Sequence, residues 1–336
     1  MDPQVLAASC WIEAPLDGNP VSDVSVRFTG TRYQPGGLPG ELDRFEQVAT
    51  APAIPRGAGR LAITARVHHL SPGRWDVRAS TLNGTALPTW VPPHNEHLRT
   101  QFGPFAYGPG VHLWAWPALI GIGAVVALAL QALLVARGGG DAGVVVGISV
   151  LSCLLGFAGG KLWYALLHKR SLRTLHQGGA CIQGFLLVAF AVLAGGAWLT
   201  GQDLAATLDA TAPAVFVGMA IGRPGCFLTG CCAGRPTASR WGLWASDRRV
   251  AVRRVPVQLI EASAAALIAV ASLAVTFAVS SPYRGGLFVA TVAAYTIVRQ
   301  WLFGFRSDPH TGVGRIATVV ICLAVLAADI LWLVPH

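Results

Sequence analysis

The chain has 336 residues, of which 53% are hydrophobic and only 12% charged, and its mean hydropathy is +0.54. A sequence this apolar is not an ordinary soluble globular protein; it points to a chain that crosses a membrane several times. The formal net charge of +9 comes almost wholly from arginine, with Lys161 and Lys169 the only lysines, and short polar loops without an aromatic ladder make anionic lipid, not nucleic acid, the partner.

The first hundred residues have their own character. "VSVRFTG" and "RLAITARVHHLSPGRWDVRAST" alternate apolar and polar residues, with turn signals at Ser71-Pro72-Gly73 and Asn83-Gly84. Such punctuated alternation predicts a small all-β, sandwich-like domain with its linker over residues 1–105. The opening "MDPQVLAASC" has neither the basic region nor the apolar stretch of a secretory signal. "LAASC" faintly resembles a lipoprotein cleavage box, which has meaning only if the chain starts further upstream. His68, His69, His94 and His97 are expected to be surface histidines of this domain.

Residues 106–336 are read as an all-α polytopic membrane domain. A crossing helix needs about 20 mostly apolar residues. Seven windows meet this, beginning near Leu113, Val144, Ile182, Ala205, Leu259, Leu287 and Ile316. Asp209 and Pro213 make the fourth the weakest. Seven cysteines is an odd number; Cys153, Cys181 and Cys322 lie in apolar runs and are expected to be inert. No spaced disulfide framework is evident.

Ionisable groups in spans are costly and mark function. With alternating spans, Lys161, Asp209, Arg223, Glu261 and Arg299 are expected near helix ends on one common face, with Gln183 opening the third span. The basic loops, holding Lys169, Arg170 and Arg173 and then Arg223 through Arg254, lie on the same side as the N-terminal domain. The positive-inside tendency places that side in the cytoplasm.

The run "GRPGCFLTGCCAGRPTASRWGLW" carries Gly222, Arg223, Gly225, Phe227, Gly234, Arg235, Pro236, Thr237, Trp241 and Gly242. It resembles the signature G-R-x-G-N-F-x-N-x-E-x-x-G-R-P-T…W-G of the prolipoprotein diacylglyceryl transferase family. "RVPVQLIEA" is similar to that family's R-H-P-S-Q-L-Y-E-A through Arg254, Pro256, Gln258, Leu259 and Glu261. "YTIVRQWLFGFRSDP" matches its Y-x-x-x-R…R segment through Tyr295, Arg299 and Arg306, and Asp209 stands in its D-x-x-A-P. Departures are specific: the signature asparagines are Cys226 and Thr229, the glutamate is Cys231, and the family's histidine is Gln183.

The resemblance implies a seven-helix fold in the bacterial plasma membrane. The implied reaction moves a diacylglyceryl group from phosphatidylglycerol to the lipobox cysteine of a prolipoprotein, with no cofactor. It implies Arg223, Arg299, Glu261 and Gln183 as catalytic, and Gly225, Gly234, Asp209, Tyr295, Arg306, Gln258 and Lys161 as substrate-binding, Gly225 and Gly234 by letting backbone approach the headgroup. It also places the active site on the extracytoplasmic face, against the charge tendency. An alternative is a family member that has lost transfer and acts as a lipid-binding or thiol-redox membrane protein. Cys226, Cys231 and Cys232 bear on that alternative: their spacing suits a disulfide or redox pair, and it lacks an evident fourth ligand for a metal, with His176 the one candidate.

Overall fold

Period-two burial builds the N-terminal domain. The structure, a computed structural model, describes residues 4–14, 24–33, 40, 43–51, 54–81, 94–171, 179–278, 285–307 and 312–333. Asn83-Gly84, Arg173, His176 and His336 lie outside these. The domain's strands are β1 (Gln4–Glu13), β2 (Val24–Arg32), β3 (Arg44–Ala51), β4 (Arg60–His68), β5 (Arg74–Thr81), β6 (His94–Arg99) and β7 (Gln101–Phe102). Along β1, Leu6, Ala8, Cys10 and Ile12 are buried while Trp11 and Glu13 face out, as a one-sided antiparallel strand requires. β1 pairs β4 without slippage from Val5↔His68 to Glu13↔Arg60. Leu6, Phe28, Ile63 and Trp75 join one core drawn from both sheets, so the two sheets form the expected sandwich.

Two further strands come from far along the chain. β8 (Leu243–Ser246) and β9 (Val250–Arg254) form a hairpin, and the five-stranded sheet runs β7-β1-β4-β9-β8 beside a four-stranded sheet β3-β2-β5-β6. β9 pairs β4 through Ala62↔Ala251 and Ile63↔Val250, and Val250 and Val252 are buried in the sandwich core. The sequence reading placed no strands in this loop.

Among the described residues seven helices are long and apolar enough to span a membrane. They are α1 (Ala115–Arg137), α2 (Ala142–Leu167), α3 (Ile182–Leu199), α4 (Leu204–Thr229), α5 (Val257–Ala278), α6 (Gly286–Leu302) and α7 (Gly312–Leu333). Large apolar side chains such as Val125, Leu154, Leu187, Leu267 and Ile321 are exposed, the inside-out pattern that hydrocarbon would cover. Gln131 Nε2 donates to Thr211 Oγ1 at 2.7 Å, a polar tie between α1 and α4 of the kind that joins helices in lipid.

The chain divides into two compact units. One comprises Met1–Ile120, Gly222–Ala262 and Trp301–Thr311; the other comprises Gly121–Ile221, Ser263–Gln300 and Gly312–His336. In the second unit Asp209 corrects the expectation of one common polar face. It lies in the second turn of α4, 14 residues before Arg223, or about 21 Å at 1.5 Å per residue. Its carboxylate accepts from Gly285 N (2.9 Å) and Phe288 N (3.3 Å), so it caps the start of α6. The opening N–H groups of a helix need such a partner.

Two outcomes follow from these placements. Asp209→Ala should lower stability by about 1 kcal/mol, while Asp209→Asn, which keeps one acceptor oxygen and loses the other, should fall between Ala and wild type; thermal unfolding in detergent measures both. In the sandwich, burial and then the negative charge of Glu96 push the Cys10 thiol from 9.0 up to about 11. The folded domain thus holds this proton more tightly than the unfolded chain. The contribution is complete below pH 9.0 and is lost as the pH rises through about 11. Melting of the full chain should fall between about pH 9 and about pH 11, and Cys10→Ala should narrow that fall.

Candidate functional site

The run Gly222–Thr237 changes character at Gly230. Up to Thr229 it is the last part of α4. Gly230 then takes φ +73, and its N–H reaches Phe227 O at 3.3 Å. A Cβ there would stand 2.7 Å from Ser246 O, so glycine alone ends the helix in this left-handed turn. Cys231 N returns to Cys226 O at 3.1 Å.

Beyond the turn the backbone becomes a short extended run held on both sides. On one side Arg235 N donates to Phe305 O (2.8 Å) and Ser307 N to Ala233 O (3.1 Å). On the other, Val255 N donates to Arg235 O (3.1 Å) and Thr237 N to Arg253 O (2.9 Å). Bridges Gly234↔Arg306 and Pro236↔Arg254 complete a three-segment pleat.

This pleat gathers three charges. Glu261, on the second turn of α5, is 1% exposed. Arg223 Nε lies 3.1 Å from Glu261 Oε2, and Arg306 Nη1 lies 3.9 Å from Oε1. One buried carboxylate is therefore shared by guanidiniums from two different segments. A lone carboxylate buried here would be strongly unfavourable. Two arginines against one glutamate leave one positive charge, and a guanidinium carries five N–H donors, more than one carboxylate can take. The arrangement suits a second, phosphate-type anion.

The other expected residues fall into different places. Gly225 and Gly234 are close-packing positions within the chain. A Cβ on Gly225 would stand 3.0 Å from Ala115 O, and one on Gly234 would stand 2.0 Å from Val255 O. The chain's own packing therefore requires glycine at both positions. Gln258 Nε2 donates to Cys231 O at 2.8 Å, holding the signature turn. Lys161, Gln183, Tyr295 and Arg299 belong to the second unit. Lys161 Nζ stands 5.6 Å from the centre of the Phe157 ring, Gln183 is exposed at the start of α3, and Tyr295 packs on Phe216 with ring centres 5.5 Å apart. Arg299 stands in the last turn of α6.

All seven cysteines are free, so no disulfide joins Cys226, Cys231 and Cys232. Cys231 Sγ approaches Cys226 O at 3.7 Å. Hydrogen bonding with Cys226, then with Cys232, and burial push the Cys231 thiol up, so a protonated thiol stands where the family signature has a carboxylate. Among the described residues no group of three or more His, Cys, Asp or Glu is placed to hold a metal ion. His97 pairs with Asp76 on the sandwich surface.

Sequence reasoning gave no site role to three residues here, Arg254 (named only as part of a motif), Asp247 and Arg248. Arg254 is 2% exposed and donates to Gly234 O (3.0 Å), Val250 O (3.0 Å) and Asp247 Oδ2 (2.6 Å). Burial lowers its pKa, and the Asp247 carboxylate raises it in part. Arg248 Nε donates to Thr229 O at 3.0 Å, a cation at the negative end of α4. The signal was present in "LWAS-DRR-VAVRR": two short alternating runs around a polar turn.

The model of the prolipoprotein diacylglyceryl transferase family matches residues 105–334. A phosphatidylglycerol–prolipoprotein diacylglyceryl transferase from Rhodococcus jostii (strain RHA1) is 31% identical over 235 residues, covering 61% of this chain and 65% of that relative. One from Mycobacteroides abscessus is 28% identical over 242 residues, covering 64% of this chain and 70% of the relative. One from Clostridium tetani is 25% identical over 223 residues, covering 62% and 87%. With a family model matched over more than half its length, on the segments that build the Arg223–Glu261–Arg306 cluster, the chain belongs to the prolipoprotein diacylglyceryl transferase family.

Proposed function

We propose that this chain transfers the diacylglyceryl group of phosphatidylglycerol to the lipobox cysteine thiol of a prolipoprotein. The observation that carries the reading is the buried Glu261 carboxylate shared by Arg223 and Arg306. The names of the relatives support transfer over a binding-only or redox role.

In the reaction the acceptor sulfur attacks the glyceryl carbon that bears the phosphate oxygen. That C–O bond breaks, a C–S thioether forms, and glycerol phosphate leaves with the bonding electrons. Negative charge grows on the departing phosphate, where guanidinium donors stabilise it most. Arg223 and Arg306, oriented by Glu261, hold that phosphate.

The acceptor thiol reacts as thiolate, and its proton leaves to solvent or a base. Gln183, where the family has a histidine, has no basic atom to take it, and the signature glutamate is the thiol Cys231. The cationic surroundings therefore favour thiolate directly. The substrate phosphate enters from the bilayer. The site faces outward from a bacterial plasma membrane, where lipobox precursors emerge. A reporter fused after His336 should then be active only inside the cell; activity only outside would reverse this orientation.

Arg223 tests the headgroup assignment. A charge-assisted bond to phosphate contributes about 1.5–3 kcal/mol, so Arg223→Ala should lower kcat/KM about ten- to a hundredfold or more. Arg223→Lys keeps the charge but loses the fork and the Nε contact to Glu261, so it should fall between. Transfer of radiolabelled diacylglyceryl to a lipobox peptide in nanodiscs measures this. Wild-type rates in both variants would sink the assignment.

A further inference from the structure

The N-terminal sandwich and the signature turn are joined by one element. β9 is embedded in the sandwich: Val250 and Val252 are in its core, and Thr64 N on β4 donates to Arg249 O at 2.8 Å. On β8, Trp244 Nε1 donates to Arg60 O (3.1 Å) and its ring stacks on Trp11 with centres 5.8 Å apart. The same hairpin reaches two backbone carbonyls of the signature run. Arg248 takes Thr229 O, and Arg254 takes Gly234 O. These carbonyls bracket Gly230, Cys231, Cys232 and Ala233.

We propose that the β8–β9 hairpin, anchored in the N-terminal sandwich, positions the Arg223–Glu261–Arg306 site, with Arg248 and Arg254 as its positioning residues. The two arginines serve backbone, not ligand. Arg254 spends donors on Gly234 O and Val250 O, and Asp247 holds it while also accepting from Arg249 N (3.1 Å) and Val250 N (2.7 Å). Arg248 sits at φ +78, a left-handed conformation that is unfavourable for a long side chain and persists only where its surroundings fix it. Its N–H to Ser246 Oγ (3.0 Å) and its Nε to Thr229 O are those fixings.

The line of contacts then runs to the charges. Arg254 sets Gly234, Gly234 bridges Arg306, and Arg306 faces Glu261. The sandwich thus gives the site a rigid wall.

The consequence for rate rests on the transfer reading, but the positioning itself can be read without it. Cys231 and Cys232 lie inside the bracketed turn, and Cys10 in the sandwich core reports whether that domain stays closed. The full chain in nanodiscs is pulsed with iodoacetamide and each cysteine is quantified by mass spectrometry, for wild type, Arg248→Ala, Arg254→Lys and Val252→Ala. Alkylation of Cys231 and Cys232 should accelerate about tenfold in each variant, the signature of local opening, while Cys10 stays slow. The KM for phosphatidylglycerol should rise more than kcat falls. If Arg254→Lys does not reach the membrane, Asp247→Asn is measured in its place with the same expectation. Unchanged rates at Cys231 and Cys232, or a rise at Cys10 in step with them, would overturn the proposal. Faster labelling with no transfer even by wild type would keep the positioning and remove the reaction.

Discussion

A carboxylate buried at 1% exposure between two guanidiniums is the constraint around which the first unit is organised. Glu261 cannot sit there alone, and neither arginine can be taken away without leaving charge in a poorly solvated place. The three groups come from the end of α4, the start of α5 and the segment after α6, so their pairing fixes where three chain segments must meet. The surrounding backbone follows. Gly230 stops α4 so that the chain can turn back, and the pleat of residues 233–237 between 253–255 and 305–307 brings Arg306 to the carboxylate. Backbone ladders, more than side chains, hold the geometry.

What could be read in the sequence was whatever depends on local pattern. The spans were legible because lipid demands about 20 apolar residues in a row, and β2, β4 and β5 because one-sided burial imposes a period of two. Arg223, Glu261 and Arg306 were legible because they stand in motifs of fixed spacing. Asp209 was misplaced because proximity in sequence to a weak span says nothing about which end of the helix it occupies. Only the bonds from Gly285 and Phe288 reveal it as a cap. The packing partners of Gly225 and Gly234 were illegible for a related reason. A glycine announces close approach, but its partner here is the chain's own backbone at Ala115 and Val255. The β8–β9 hairpin was missed because four- and five-residue strands carry little signal until β4, nearly two hundred residues earlier, supplies the partner.

The thiols in the signature divide the chemistry into two unequal parts. Holding a phosphate needs fixed cations, and these are intact, with Glu261 to orient them. In the proposed reaction the acceptor's proton must also leave, and at the signature glutamate there is a thiol, Cys231, in place of a carboxylate. The site is therefore strong in the electrostatic part and spare in the proton-transfer part. In such a site the rate depends on how well the cations lower the acceptor's own pKa, and that depends steeply on distance.

Steep distance dependence explains why the loop between α4 and α5 is not left loose. A connection running from residue 230 to 256 is long, and long connections without structure of their own are mobile. A guanidinium carried beside such a loop would sample positions an ångström or more from the best one, and misplacement on that scale can cost about a hundredfold in rate. Here the loop is folded into a strand pair, joined to β4 and anchored by two valines in a hydrophobic core. The rest of that core comes from residues that precede residue 105, where the family match begins. Rigidity at the site is thus drawn from outside the matched region, and a chain that relies on cations more than on a base has the most to gain from it.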